Sequence, residues 1–292
     1  MIMKIRKDGI IMPDYVEQTR KILRSAGRSP KTANSYLSHI RRLENTYGSR
    51  TAELDEDTLR KYLEDLVDEG KSLSYINQAQ SAIRFMYKHV LKKENPFPGP
   101  GLISKKMPMH GIFSRDEISQ IFANVHELKY RLALMLIYSS GLRVGEVTHL
   151  QRSAVDFDDM VIHVNDQNGE FIRDTILAKS ISEILRYYIE TRTDDSPWMF
   201  PGRGKTNCIS PRTIQRAFAE AMLAVGIEKR ATLGWLRHSF AVHMLEDGID
   251  RKLVRTLLGI STPSMISPYM KLAEGRSPLR VNSPADRFLL KK

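Results

Sequence analysis

The sequence predicts a mainly α, two-domain protein. A four-helix unit comes first, followed by an α+β unit with one small β-hairpin. Three observations predict this. Apolar residues recur at helical spacing over most of the 292 residues. Three prolines and two glycines crowd the stretch from Pro96 to Gly101, where no helix can continue. Asn168-Gly169, a strong tight-turn signal, separates two short β-type runs, VIHV and FIRDTIL.

The first helix is expected over residues 13–26. In RSPKT, Ser29 is a cap and Pro30 suits the first helical position, so the second helix runs from Pro30 to about Tyr47 and ends at Gly48. Tyr36, Ile40, Leu43 and Tyr47 make its apolar face. Lys31, Asn34, Ser38 and Arg41, with Arg42 beside them, make another, which is either simply solvated or tracks phosphates. A third helix covers about Glu56–Glu69 with Leu59, Tyr62, Leu63 and Leu66 inward, and Gly70 stops it. A fourth runs from about Leu73 to Lys93 on Ile76, Ala79, Ile83, Tyr87 and Val90. Its opposite face carries Asn77, Ser81, Arg84 and Lys88, small polar and cationic groups that suit a DNA groove.

These helices form a domain over 1–94, and 95–112 reads as a linker containing Lys105 and Lys106. The second domain, 113–272, opens on a capping box, Ser114 with Glu117, stapled by Phe113 and Ile118. The helix from about Leu128 to Ser140 is apolar on most sides and should be buried. It ends at Gly141, and Arg143 follows, with Glu146 three residues on and able to orient it. After the hairpin, helices are expected at about 180–191, 211–225, 236–246, 251–257 and 263–272. Residues 273–292 form a basic tail, either disordered or anchored by Phe288, Leu289 and Leu290.

The bulk properties narrow the function classes. A net charge of +11 with pI about 9.6 favours a polyanionic partner, and nucleic acid is the commonest. A membrane surface fits less well, because no basic amphipathic segment flanked by aromatics stands out. No stretch is long and apolar enough to span a bilayer. The N-terminus has no signal-peptide core, so a cytoplasmic protein is expected. The single cysteine, Cys208, excludes an internal disulfide and a thiolate cluster. The eight histidines show no metal-ligand spacing, so no metal site is expected.

The most informative stretch is 230–271, KRATLGWLRHSFAVHMLEDGIDRKLVRTLLGISTPSMISPYMK. Arg237 opens an apolar helical run with His238 beside it. An LLG turn, Leu257-Leu258-Gly259, lies twenty residues on, and Tyr269 comes ten residues after its glycine. Together with Arg143 in SSGLRVGEVTHL, this frame resembles the tyrosine recombinases, or phage-type integrases, above all the Xer-type recombinases and integron integrases. The family pattern is matched without a gap from Thr232 to Tyr269.

The resemblance implies a SAM-like core-binding domain followed by a tyrosine recombinase catalytic domain. DNA would be clamped between them, with the linker crossing the duplex. It implies that Arg143 and Arg237 grip the scissile phosphate and that Tyr269 attacks it. Such chemistry suits these residue types. A phenol can displace the 5′ oxygen and conserve the bond energy as phosphotyrosine. Planar guanidinium forks hold non-bridging oxygens bidentately as charge builds. It needs neither metal nor nucleotide, so no cofactor is implied. The implied partner is double-stranded DNA with inverted-repeat-like sites. The implied assembly is a dimer to tetramer of this chain or a complex with a related recombinase, associated with the nucleoid.

Three family positions are replaced. The hairpin lysine that serves as general acid falls on Asn168, the first histidine on Gly234, and the last phosphate-contacting position on Ile260. His238 reads as structural, and Pro268 is expected to kink the nucleophile's helix. Two functions therefore stay open: a strand-exchange enzyme, and a pseudo-recombinase that binds or bends DNA without cutting. A more distant alternative is a helical transcription regulator whose likeness is accidental.

Overall fold

The computed structural model describes residues 2–5, 11–97, 111–166, 168–204, 207–229, 231–273 and 284–285. The chain divides into two compact units, Met1–Pro108 and Met109–Lys292.

The first unit opens with two strands absent from the sequence expectations, β1 (Met3–Ile5) and β2 (Ile11–Pro13), paired antiparallel. Four helices follow. In α1 (Tyr15–Ser25) the Asp14 carboxylate accepts the Glu17 amide at 2.8 Å. In α2 (Pro30–Tyr47) Ser29 caps the start and Gly48 ends it with a positive φ of 58°. In α3 (Glu56–Asp68) Leu59, Tyr62, Leu63 and Leu66 are buried. In α4 (Leu73–Met86) Ile76, Ala79, Ile83 and Met86 are buried. One carboxylate also turns inward: Glu44 Oε1 accepts the Tyr15 amide at 2.8 Å and ties α2 to the start of α1.

The fourth helix does not continue as a regular α-helix to Lys93. It widens into a π-turn over Tyr87–Leu91, and Lys92 is left-handed at φ 56°. Tertiary bonds account for the change. The Tyr87 hydroxyl donates to the Leu54 carbonyl at 3.0 Å, and Lys93 Nζ donates to the Ala52 carbonyl at 2.6 Å. Phe97, within the stretch read as linker, is buried in this unit's core.

The second unit is built on α5 (Arg115–Ala123), α6 (Leu128–Ser139) and the short α7 (Val144–Thr148). The Ser114–Glu117 capping box is formed in both directions, at 3.1 and 2.8 Å. A three-stranded antiparallel sheet follows, β3 (Val155–Asp156), β4 (Val161–Asn165) and β5 (Phe171–Ile176), in that spatial order. Then come α8 (Lys179–Glu190), α9 (Pro211–Val225), α10 (Gly234–Glu246), α11 (Arg251–Leu258) and α12 (Ser267–Ala273). Helix α6 is buried from Leu132 to Ser139 and packs against α8, α9 and α10. No helix among the described residues is long and apolar enough to cross a membrane.

Gly141 closes α6 at a positive φ of 63°. A Cβ there would lie 2.6 Å from a ring carbon of Phe240 and 2.9 Å from Leu258. Gly141→Ala is expected to destabilise the second unit by about 2–4 kcal/mol, combining the left-handed penalty with overpacking. A denaturant midpoint within error of wild type would refute this.

Candidate active site and nucleic-acid faces

Three segments converge on one carboxylate. Arg143 emerges from the Gly141 turn at the N-cap of α7, so its backbone N–H and guanidinium both reach Glu146, at 2.7 and 2.6 Å. From β5, Arg173 donates to both oxygens of Glu146, at 2.8 and 2.9 Å. From α10, Arg237 Nη1 comes within 3.9 Å of the same carboxylate. Burial alone would raise the Glu146 carboxyl. Hydrogen bonds from Arg173 and Arg143 outweigh it and hold the group at about 2.

Each arginine is held differently. The Arg237 side chain is 12% exposed. Its Nη1 donates to the Gly141 carbonyl, and its Nη2 donates to the Leu258 carbonyl at 2.5 Å. Burial, with Arg143 beside it, pushes the guanidinium down to about 10, still charged at neutral pH. The Arg143 side chain is half exposed, with Nη1 held by Glu146. Arg173 is buried, and its Nε also donates to the Leu257 carbonyl at 2.8 Å. Gly259 makes that approach possible: a Cβ there would lie 2.8 Å from Arg173 Cδ.

Tyr269 meets α10 beside Arg237, through the neighbouring His238. Burial raises its phenol, while the nearby charges of Arg237 and Arg143 pull it back down. Its hydroxyl lies 2.8 Å from His238 Nδ1, with the rings 5.5 Å apart. The expected kink at Pro268 does not form. A 3-10 turn over Pro263–Ile266 precedes α12, so Pro268 falls in the first turn, where its missing N–H leaves no bond unmade.

The three departures are also placed. Gly234 is exposed at the start of α10. Asn168 is exposed at the hairpin tip, where its amide N–H and side chain both donate to the Asp166 carboxylate. Ile260 is half-buried against the core. Lys179 starts α8, beyond the hairpin. Among the described residues no group of three or more His, Cys, Asp or Glu side chains could hold a metal.

On the first unit, Lys31, Arg41, Asn77 and Lys88 are exposed. Arg42 pairs with Glu69 at 2.5 Å. Arg84 is turned onto Phe97, donating to its carbonyl at 3.3 Å and lying over its ring. Lys105, Lys106 and the tail residues Phe288, Leu289 and Leu290 lie outside the described residues. Sequence reading missed a second basic feature, a cleft lined by Arg20, Arg24, Arg28, Asn34 and Arg41. The four-residue spacing of Arg20, Arg24 and Arg28 was the available signal.

The sequence profile of the phage integrase family matches residues 112–276, and that of the phage integrase N-terminal SAM-like domain matches 15–96. The tyrosine recombinase XerA of Thermococcus onnurineus is 31% identical over 264 residues, covering 89% of this chain and 91% of the relative. The tyrosine recombinase XerD of Caulobacter vibrioides is 29% identical over 271 residues, 87% of each. Among solved structures, a lambda integrase dimer bound to a COC′ core site shares the fold, with TM-score 0.68 and 21% identity over 92% of this chain and 98% of that one. The chain belongs to the phage integrase family, the tyrosine recombinases.

Proposed function

We propose that the protein is a site-specific DNA recombinase, cutting and rejoining one strand through a covalent bond between Tyr269 and a 3′ phosphate. The observation that carries this is the contact that seats the Tyr269 hydroxyl 2.8 Å from His238 Nδ1, on the residue next to Arg237 in α10. Glu146 fixes the Arg143 side chain and faces Arg237. In this reading both arginines bind the non-bridging oxygens and stabilise the charge that builds as the phenol attacks. The substrate is duplex DNA with inverted-repeat-like sites. The working unit is a dimer to tetramer, of this chain alone or with a related recombinase, acting in the cytoplasm at the nucleoid.

A second reading is DNA binding without cleavage. It is favoured by Asn168, Gly234 and Ile260, which stand where the family pattern has lysine, histidine and histidine or tryptophan. Losing acid–base help typically costs ~10²–10⁴-fold. One experiment separates the two. A nicked suicide duplex with a bridging-sulfur phosphodiester should trap a covalent adduct that Tyr269→Phe abolishes. Tight binding with no adduct would establish the second reading instead.

The first unit should carry much of the affinity. Alanine at Arg20, Arg24 and Arg28 together is expected to weaken binding across sequences. The slope of log affinity against log salt should shrink by about 0.9 for each phosphate the variant no longer neutralises. Titrations at several salt concentrations check this, and an unchanged slope would remove the cleft from the DNA path.

A further inference from the structure

Attack by the Tyr269 phenol needs a group to take its proton. The Tyr269 hydroxyl is raised by burial, so it is protonated at neutral pH and must lose its proton as it attacks. Asn168, Gly234 and Ile260 carry no group able to accept one.

His238 is in contact with the reacting atom. Its Nδ1 lies 2.8 Å from Tyr269 Oη, with the two rings tilted by 32°. It sits one helical turn after Gly234 on α10, hence on the same face. A Cβ built on Gly234 would come within 3.6 Å of His238 Nε2. The Nε2 edge of the imidazole therefore borders the place a side chain at 234 would occupy, which the Thr232 hydroxyl borders too, at 3.4 Å from that Cβ.

We propose that His238 is the catalytic base of strand cleavage, accepting the Tyr269 proton at Nδ1. This rests on Tyr269 being the nucleophile. In the forward step the phenol oxygen bonds to phosphorus, and the bond from phosphorus to the 5′ oxygen breaks. The phenol proton passes to Nδ1, giving an imidazolium. The departing 5′ oxygen takes a proton from water. In the reverse step the 5′ oxygen bonds to phosphorus and gives its proton back to water, the bond from phosphorus to the phenol oxygen breaks, and the imidazolium returns its proton to that oxygen. The neutral ring that does this carries its own hydrogen on Nε2, the nitrogen nearest Gly234.

The test uses the full chain and two duplexes, one with an ordinary scissile phosphate and one with a 5′-bridging sulfur. His238→Ala and His238→Asn are compared with wild type for DNA affinity and for the rate of adduct formation. His238→Ala should bind DNA as wild type does and form adduct about 10²-fold or more slowly on both duplexes. A sulfur leaving group needs no acid, so a defect that persists there lies in the attack. Added imidazole should restore part of the His238→Ala rate. His238→Asn can accept a hydrogen bond but cannot carry the proton, and it should stay slow.

Four results would overturn the proposal. Adduct formation by His238→Ala within threefold of wild type, with Tyr269→Phe inactive, would dismiss His238 and leave Tyr269 as nucleophile. A wild-type rate in His238→Asn would reduce His238 to holding the phenol in place. A defect confined to the oxygen leaving group would move its role to the departing strand. Absence of any adduct from the wild-type chain would remove the nucleophile reading, and His238 with it.

Discussion

Arg237→Lys is expected to slow strand cleavage by about 10²–10³-fold while leaving duplex affinity within a few fold. One transition-state donor is typically worth this much. The geometry explains why lysine cannot substitute. Arg237 satisfies two main-chain carbonyls at once, those of Gly141 and Leu258, from a side chain almost out of solvent. Its fork has five donors, so it can do this and still face an anion. An ammonium has three donors on one atom and cannot span both carbonyls and a phosphate. Burial and Arg143 already push the native guanidinium down to about 10. A lysine starting near 10.4 would be pushed lower still, so residual activity should fall as pH rises above neutrality. Single-turnover adduct formation across pH checks both points, and a variant as fast as wild type would contradict the assignment of Arg237 to the phosphate.

Glu146→Ala is expected to destabilise the second unit by about 3–5 kcal/mol, the scale for removing one partner of a buried ion pair. Arg173 is the reason. It is 5% exposed, and Glu146 holds both ends of its fork. The dependence on pH has a definite sign. The Glu146 carboxyl sits at about 2 in the folded chain against an ordinary 4.5. A depressed carboxyl gives its full stabilisation above 4.5 and loses it as pH falls toward 2. The shift corresponds to roughly 3 kcal/mol. The stability gap between wild type and Glu146→Gln should therefore narrow as pH is lowered through that window. Denaturant midpoints at a series of pH values would show it, and a constant gap would mean that the arginines do not hold this carboxylate.

Much of this was legible in the sequence, and the parts that were not share a cause. Helix positions followed from caps and periodicity, as at Ser29-Pro30 and Ser114–Glu117, because those signals are local. The frame linking Arg143, Arg237 and Tyr269 was legible as a spaced pattern. Arg173 was not read as a partner of Glu146, because their meeting depends on the fold bringing β5 against α7 and the end of α11. The contact of His238 with Tyr269 was not legible for the same reason. It joins residues 31 apart, and nothing near position 238 announces it. The π-turn at Tyr87–Leu91 is set by bonds to Ala52 and Leu54 across the unit. Pro268 was misplaced by boundary alone: a helix start four residues later turns an expected kink into an ordinary first-turn proline.

Of the two carbonyls that receive Arg237, one lies in the turn leading into Arg143 and the other at the last residue of α11, ahead of the segment that carries Tyr269. A single side chain thus fastens together the backbone on both sides of the reaction centre. Backbone fluctuations at Gly141 and Leu258 should rise together when that fastening is cut. In the proposed reaction, a movement that draws the Tyr269 segment away would also loosen the hold of Arg237 on the phosphate, so that nucleophile and anion would engage together.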